Sequence, residues 1–127
     1  MMTNSIIVLG GGISGIGAAV LAKKHGYSVF LSEIGKISSN NIKILNENNI
    51  EYEEFKHSYD IIFEANEIIK SPGISDNSKI IQELKNKKIP IISEIEFAFR
   101  YTDAKIIAIT GTNGKTTVSL LLERIIS

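Results

Sequence analysis

Ser5-Ile6-Ile7-Val8-Leu9-Gly10-Gly11-Gly12-Ile13-Ser14-Gly15 decides the fold of this chain. The first five residues form a short, β-branched apolar run, the pattern of a buried parallel strand. Gly10-x-Gly12-x-x-Gly15 follows at once. Residues 16–25 come next, with Ile16, Ala19, Val20 and Lys23 at helical spacing and Gly26 as a terminator. Strand, glycine turn and helix together give this spacing its meaning. The first glycine permits a tight turn, the second lets an anion approach backbone N–H groups, and the third lets the helix pack close to the strand. A second strand over 27–32 ends at Glu33, where an acid can accept from a ribose or a base edge. Taken alone, this turn predicts a nucleotide diphosphate on the first helix, with NAD(P) as the default ligand.

Outward from the turn, apolar runs alternate with helical patterns. A loop over 34–39 precedes a helix over 40–48 and a third strand over 50–55. Residues 58–65 fit either period. A strand there would be only three residues from the next one at 67–70, which leaves no room for a parallel crossover, so a short helix is expected. A helix over 77–86 and a strand over 89–92 follow. Ser93 then caps a helix over 94–101, with Glu96 as its capping-box partner and Glu94 in the dipole-favoured first turn. A last strand over 105–110 and a last helix over 115–126 complete the pattern. The fold class is α/β: a Rossmann-like three-layer domain with a mainly parallel sheet, then the first strand, phosphate loop and helix of a second domain. Element order places the division between residues 1–93 and 94–127.

Composition narrows the function classes. Lys+Arg 14 balance Asp+Glu 14, so nothing electrostatic argues for nucleic acid. Cysteine is absent, which excludes disulfides and thiolate metal sites and suits a reducing cytosol. No apolar run approaches the roughly 18–20 residues of a membrane span, and residues 1–5 lack a basic signal-peptide region. A cytoplasmic location is expected. His25 lies at a helix end that favours a cation, and His57 lies in a loop with no partner evident in sequence. Glu51, Glu53 and Glu54 read as a solvated strand edge.

Ser71-Pro72-Gly73 closes the fourth strand at the carboxyl edge of the sheet, the edge at which open α/β sheets bind ligands. Ala108-Ile109-Thr110-Gly111-Thr112-Asn113-Gly114-Lys115-Thr116-Thr117 is a second phosphate loop, shorter than a strict P-loop, between an apolar strand and a helix. Lys115 supplies a mobile cation, and Thr116 a hydroxyl suited to a Mg2+ shell. A simple NAD module has no need of this loop.

The string 108–117 resembles the ATP loop of the Mur ligases, the ATP-dependent amide ligases of peptidoglycan precursor synthesis. Val-Leu-Gly-Gly-Gly-Ile-Ser-Gly-Ile-Gly at 8–17, Ser-Pro-Gly-Ile at 71–74 and Ile-Pro-Ile-Ile-Ser-Glu-Ile-Glu-Phe at 89–97 are similar to the branch that adds D-glutamate to UDP-MurNAc-L-alanine. The resemblance covers essentially the whole chain. It implies that the first domain binds the UDP part of the substrate through Gly12, Ile13, Ser14, Gly15, Glu33, Ser71 and Gly73. Asn113 would lie where substrate meets ATP. Gly111, Thr112, Asn113, Gly114, Lys115, Thr116 and Thr117 would hold ATP, with Lys115 and Thr116 catalytic and Thr116 on Mg2+. Ile34 and Gly35 stand where some members carry polar side chains toward the base. The implied reaction phosphorylates the L-alanyl carboxylate, and D-glutamate attacks the acyl phosphate. The family's modified lysine, further metal ligands and amino-acid-binding domain have no counterpart in these 127 residues, so the chain alone is expected not to catalyse ligation. A free-standing NAD-type module is the alternative function, and self-association through the strand at 105–110 is a third expectation.

Overall fold

A computed structural model describes residues 4–101. Five parallel strands make one sheet: β1 (Ser5–Leu9), β2 (Ser28–Glu33), β3 (Glu51–Glu54), β4 (Glu67–Lys70) and β5 (Ile91–Ser93). Their spatial order is β3-β2-β1-β4-β5. Helices α1 (Ile13–Lys24), α2 (Ser39–Glu47), α3 (Tyr59–Ile62), α4 (Lys79–Asn86) and α5 (Glu94–Phe99) alternate with the strands. The chain winds outward from β1 to β3, then returns to β1's other side as β4. Leu9 therefore lies beside both Ser32 and Lys70. That reversal opens a crevice at the carboxyl ends of β1 and β4, the switch point at which such sheets take ligands.

The pleat sorts the apolar residues into two cores. Ile6 and Val8 face α1, Leu45 of α2 and Phe97 of α5. Ile7 and Leu9 face the other way, onto Ile62 of α3 and Ile80, Ile81 and Leu84 of α4. Each fully buried Leu or Ile contributes about 1.5–3 kcal/mol, so these two layers carry most of the fold's stability. Residues 15–22 of α1 are all buried, because α2 and α5 flank the helix while β1 and β2 lie beneath it. A helix covered on every side has no polar face, and the small residues Gly15, Gly17, Ala18, Ala19 and Ala22 let its neighbours approach.

The helix expected at 16–25 begins at Ile13. Its apolar periodicity starts one turn later because Ile13 points to solvent, 73% exposed. The short helix expected within 58–65 and the strand at 67–70 both form; α3 occupies Tyr59–Ile62, and the chain then turns into β4. Ser93 accepts from the Glu96 N–H at 3.0 Å, and Glu96 accepts from the Ser93 N–H, the expected capping box.

The solvated edge expected of Glu51, Glu53 and Glu54 holds only for Glu51. Glu53 is buried because the segment after β3 folds back over the strand end. Its carboxylate accepts from Ser32 Oγ at 2.7 Å, Ser58 N at 2.7 Å and Ser58 Oγ. Glu54 accepts from Ile37 N at 2.8 Å. α5, which the 93/94 division assigns to the second unit, packs Phe97 into the α1 core and buries Ala98. The strand expected at 105–110 and the helix expected at 115–126 lie outside the described residues.

Candidate functional site

The glycine turn and the Ser-Pro-Gly turn meet at the switch point. Gly10 has φ +117°, a conformation side chains rarely adopt, and a Cβ there would lie 2.6 Å from Ser71 Cβ. The two turns are thus in direct contact, and Ser71 N donates to Leu9 O at 3.0 Å. A Cβ on Gly15 would lie 2.1 Å from Gly10 O, so the third glycine is required for packing of α1 on the turn. A Cβ on Gly12 would meet nothing within 4 Å. Gly12 is the open glycine, where backbone can be approached from outside.

Gly12 is also the N-cap of α1 and offers no side-chain cap. The first helical N–H with a partner within the turn is Ile16, bonded to Gly12 O at 2.9 Å. No acidic residue occupies the first turn. The N–H groups and positive dipole end at residues 13–15 therefore face the switch point without a capping side chain, a disposition that suits an anion.

Glu33 closes the turn from the β2 side. One carboxylate oxygen accepts from Gly11 N at 2.6 Å and the other from Gly35 N at 2.7 Å. These charge-assisted bonds join the glycine turn to the loop after β2, and each oxygen keeps a lone pair. Asn41 Nδ2 donates to Gly11 O at 3.1 Å, so α2 braces the turn as well. Ile13, which follows the open Gly12, and Ile34, which follows Glu33, are both exposed. Gly73 N points to Ser71 Oγ at 3.4 Å within its own turn.

Beyond β2 lies a buried polar cluster. Ser32 Oγ touches Glu53 at 2.7 Å and His57 Nδ1 at 2.7 Å. Burial is the largest influence on Glu53 and opposes its ionisation. The hydrogen bonds from Ser58 and Ser32, with the charge of Lys56, outweigh it and hold the carboxyl below its ordinary value. Burial pushes His57 below its ordinary value, against the charges of Glu53 and Glu33. Serine, histidine and acid together invite a nucleophile reading, but Ser32 is fully buried and bonded on every side. The cluster fastens the residues after β3 to β2.

On the other flank, Glu94 begins α5 and is 3% exposed. Its Oε2 lies 3.5 Å from the Cβ position of Gly15 and has no hydrogen-bond partner among the described residues. Burial pushes its carboxyl up to about 7, against the charge of Lys70. Among the described residues no group of acids and histidines is arranged to hold a metal ion. A shallow depression of about 560 Å³, lined by Phe30, Asn46, Asn49, Ile50, Glu51 and Tyr52, opens at the amino edge of β3, away from these turns.

A family model described as the MurD N-terminal domain matches residues 6–80, which contain both turns and Glu33. The chain belongs to the MurD N-terminal domain family. It is 49% identical over 125 residues to the UDP-N-acetylmuramoylalanine--D-glutamate ligase of Christiangramia forsetii, covering 98% of this chain and 28% of that ligase. The ligase of the same description from Porphyromonas gingivalis is 55% identical over 117 residues, 92% of this chain and 26% of the relative. The crystal structure of UDP-N-acetylmuramate-alanine ligase MurC from Thermotoga maritima superposes with TM-score 0.63 at 25% identity, over 76% of this chain and 22% of that one. The chain therefore spans little more than a quarter of the curated relatives it matches. The NAD-type alternative is not favoured.

Seven MurD-type site residues predicted from sequence fall within the described part. Gly12, Ile13, Ser14, Gly15, Ser71 and Gly73 converge on the switch point, and Glu33 borders it. Gly111, Thr112, Asn113, Gly114, Lys115, Thr116 and Thr117 lie outside the described residues. The buried position of Glu94 escaped the sequence reading. Its signal was the residue after Ser93 of the capping box, which becomes informative only once β5 is known to lie beside β4.

Proposed function

We propose that the carboxyl edge of β1, β2 and β4 binds UDP-MurNAc-L-alanine, as the substrate-binding part of an ATP-dependent ligase that joins D-glutamate to it. The observation that carries this reading is the uncapped N-terminus of α1 at the open Gly12, beside the Ser71-Pro72-Gly73 turn. Residues 13–15 offer backbone N–H groups to the diphosphate, and α1's dipole adds to their attraction. Family membership turns that general anion site toward a uridine ligand. Glu33, already tied to Gly11 and Gly35, presents its remaining lone pairs toward the base, between the apolar side chains of Ile13 and Ile34.

ATP and Mg2+ belong to the loop at 111–117, with Lys115 and Thr116 on the phosphates and the metal. The reaction is a cytoplasmic one. No helix among the described residues is long and apolar enough to cross a membrane. We place the junction with the ATP-binding domain after Tyr101, because α5 shares its core with α1. These 127 residues supply the substrate-binding side of that reaction.

Titration calorimetry against UDP-MurNAc-L-alanine, NADH and ATP tests the reading. Binding of the uridine ligand without NADH is the expected result. Tight NADH binding with none to the uridine ligand would overturn it.

A further inference from the structure

Glu94 poses a problem where it stands. Its side chain is 3% exposed, and Oε2 finds no partner among the described residues. That oxygen lies 3.5 Å from the Cβ position of Gly15, within the first turn of α1. An acid behind a site for a diphosphate is repulsive when ionised, and burial leaves little solvent to screen the repulsion. Protonated, the same group is neutral and gains an O–H donor.

The surroundings supply little compensation. From β4, Lys70 is the charged neighbour, but its Nζ donates to Ile74 O at 2.7 Å and sits 3.4 Å from Asp76. From α1, the only charged residues are Lys23 and Lys24, in the last turn at the opposite end. β1 and β5 carry no charged residue. On α5 itself, Glu96 is occupied by the Ser93 N–H. The influence of burial exceeds that of Lys70, which leaves the carboxyl near 7 before any anion arrives.

We propose that Glu94 is a positioning residue whose carboxyl takes up a proton when a diphosphate docks on α1, so that substrate affinity is governed by pH. The inference rests on the proposed uridine-diphosphate reading of the turn. Above about pH 7 the free protein carries Glu94 as carboxylate, and binding must draw a proton from solvent. Affinity then falls by up to about tenfold per pH unit. Below that pH the acid is already neutral and affinity is flat. The diphosphate of a UDP-sugar is a diester with no proton to lose in this range. His57, at the far flank, is held below its ordinary 6.5, the opposite direction to Glu94.

The test is calorimetry of UDP-MurNAc-L-alanine on the 127-residue chain from about pH 6 to about pH 8.5, with wild type and Glu94→Gln. Wild-type affinity should decline above about pH 7, while Glu94→Gln stays flat and binds about tenfold more tightly at about pH 8. Wild-type titrations at about pH 8 in two buffers of different ionisation enthalpy should also show uptake of close to one proton. That measurement needs no variant and stands even if Glu94→Gln misfolds. Equal pH profiles for the two proteins, or no proton uptake by wild type, would overturn the proposal and leave the uridine reading intact. Absence of binding at every pH would remove that reading, and this proposal with it.

Discussion

The two flanks of the glycine turn handle buried and half-buried acids in opposite ways. On the β2 side, Glu33 and Glu53 lie within nets of donors: Gly11 N and Gly35 N for one, Ser32 Oγ, Ser58 N and Ser58 Oγ for the other. On the β5 side, Glu94 is buried and leaves an oxygen without a donor among the described residues. A satisfied buried acid contributes to the fold, whereas an unsatisfied one costs stability. The β2 flank is therefore framework. The β5 flank carries a cost that makes sense if something outside the domain changes the charge state of Glu94.

The comparison breaks most visibly at the glycines themselves, which each flank constrains differently. Gly15→Ala places a methyl 2.1 Å from a backbone oxygen, so the turn or α1 must move. Overpacking costs about 1–3 kcal/mol where side chains can yield, and a backbone obstacle puts this variant at or beyond the upper end. Gly12→Ala has free space and should cost about 1 kcal/mol or less as an N-cap change. Urea unfolding followed by calorimetry with UDP-MurNAc-L-alanine separates them. Gly15→Ala should lose stability and binding together, and Gly12→Ala should lose mainly binding. Equal destabilisation of the two would show that packing, and not ligand approach, accounts for the whole glycine pattern.

A second break concerns the framework flank. Glu53→Ala leaves Ser58 N and Ser58 Oγ without their acceptor, while Ser32 Oγ keeps Lys56 O and His57 as partners, at a cost of about 1–3 kcal/mol. The same group sets an acid limb. Its carboxyl is held below its ordinary value in the folded chain, so its contribution is present above the unfolded value of 4.5 and is lost as pH falls through the folded value. His57, also held below its ordinary 6.5, adds to this limb, because protonation favours the unfolded chain as pH falls below 6.5. Urea midpoints of wild type should fall as pH drops below about 4.5, beneath the range in which Glu94 titrates. Glu53→Ala should start lower and fall less. An unchanged slope in the variant would take the acid limb away from this cluster.

How much of this was legible beforehand depends on the range of the contacts. The strand, glycine turn and helix at 5–24 were readable because each part announces itself locally, through β-branched residues, glycine spacing and helical period. The helix and strand at 58–70 were readable from loop length alone. The capping box was readable because Ser93 and Glu96 lie one helical turn apart. What stayed hidden were contacts between distant segments. His57 has no partner in sequence because Ser32 is 25 residues away, brought beside it by the β2–β3 pairing. Glu53 looked solvent-facing because nothing local shows the segment after β3 folding back. Glu94 looked like an ordinary first-turn acid. Only the order β1-β4-β5 places α5 against α1 and the carboxyl behind Gly15.

The smallest expected effect is also the sharpest, because its sign is opposite to that of the acid limb. Glu94 has a folded value near 7, raised by burial above its ordinary 4.5. A raised acid contributes fully below the unfolded value, and its contribution is lost as pH rises through the folded one. The Glu94 contribution should therefore be lost between about pH 5 and about pH 7, and it is read from the difference between wild type and a variant that cannot titrate. Glu94→Gln keeps the shape and removes the titration. After allowance for solvent screening, the variant should be about 1 kcal/mol more stable than wild type near pH 8 and little different near pH 5. Paired urea unfolding at those two values, without any nucleotide, decides it. A Glu94→Gln variant less stable at both would mean that the carboxylate has a partner after all. The two flanks would then be alike, and the proton linkage proposed for Glu94 would lose its electrostatic basis.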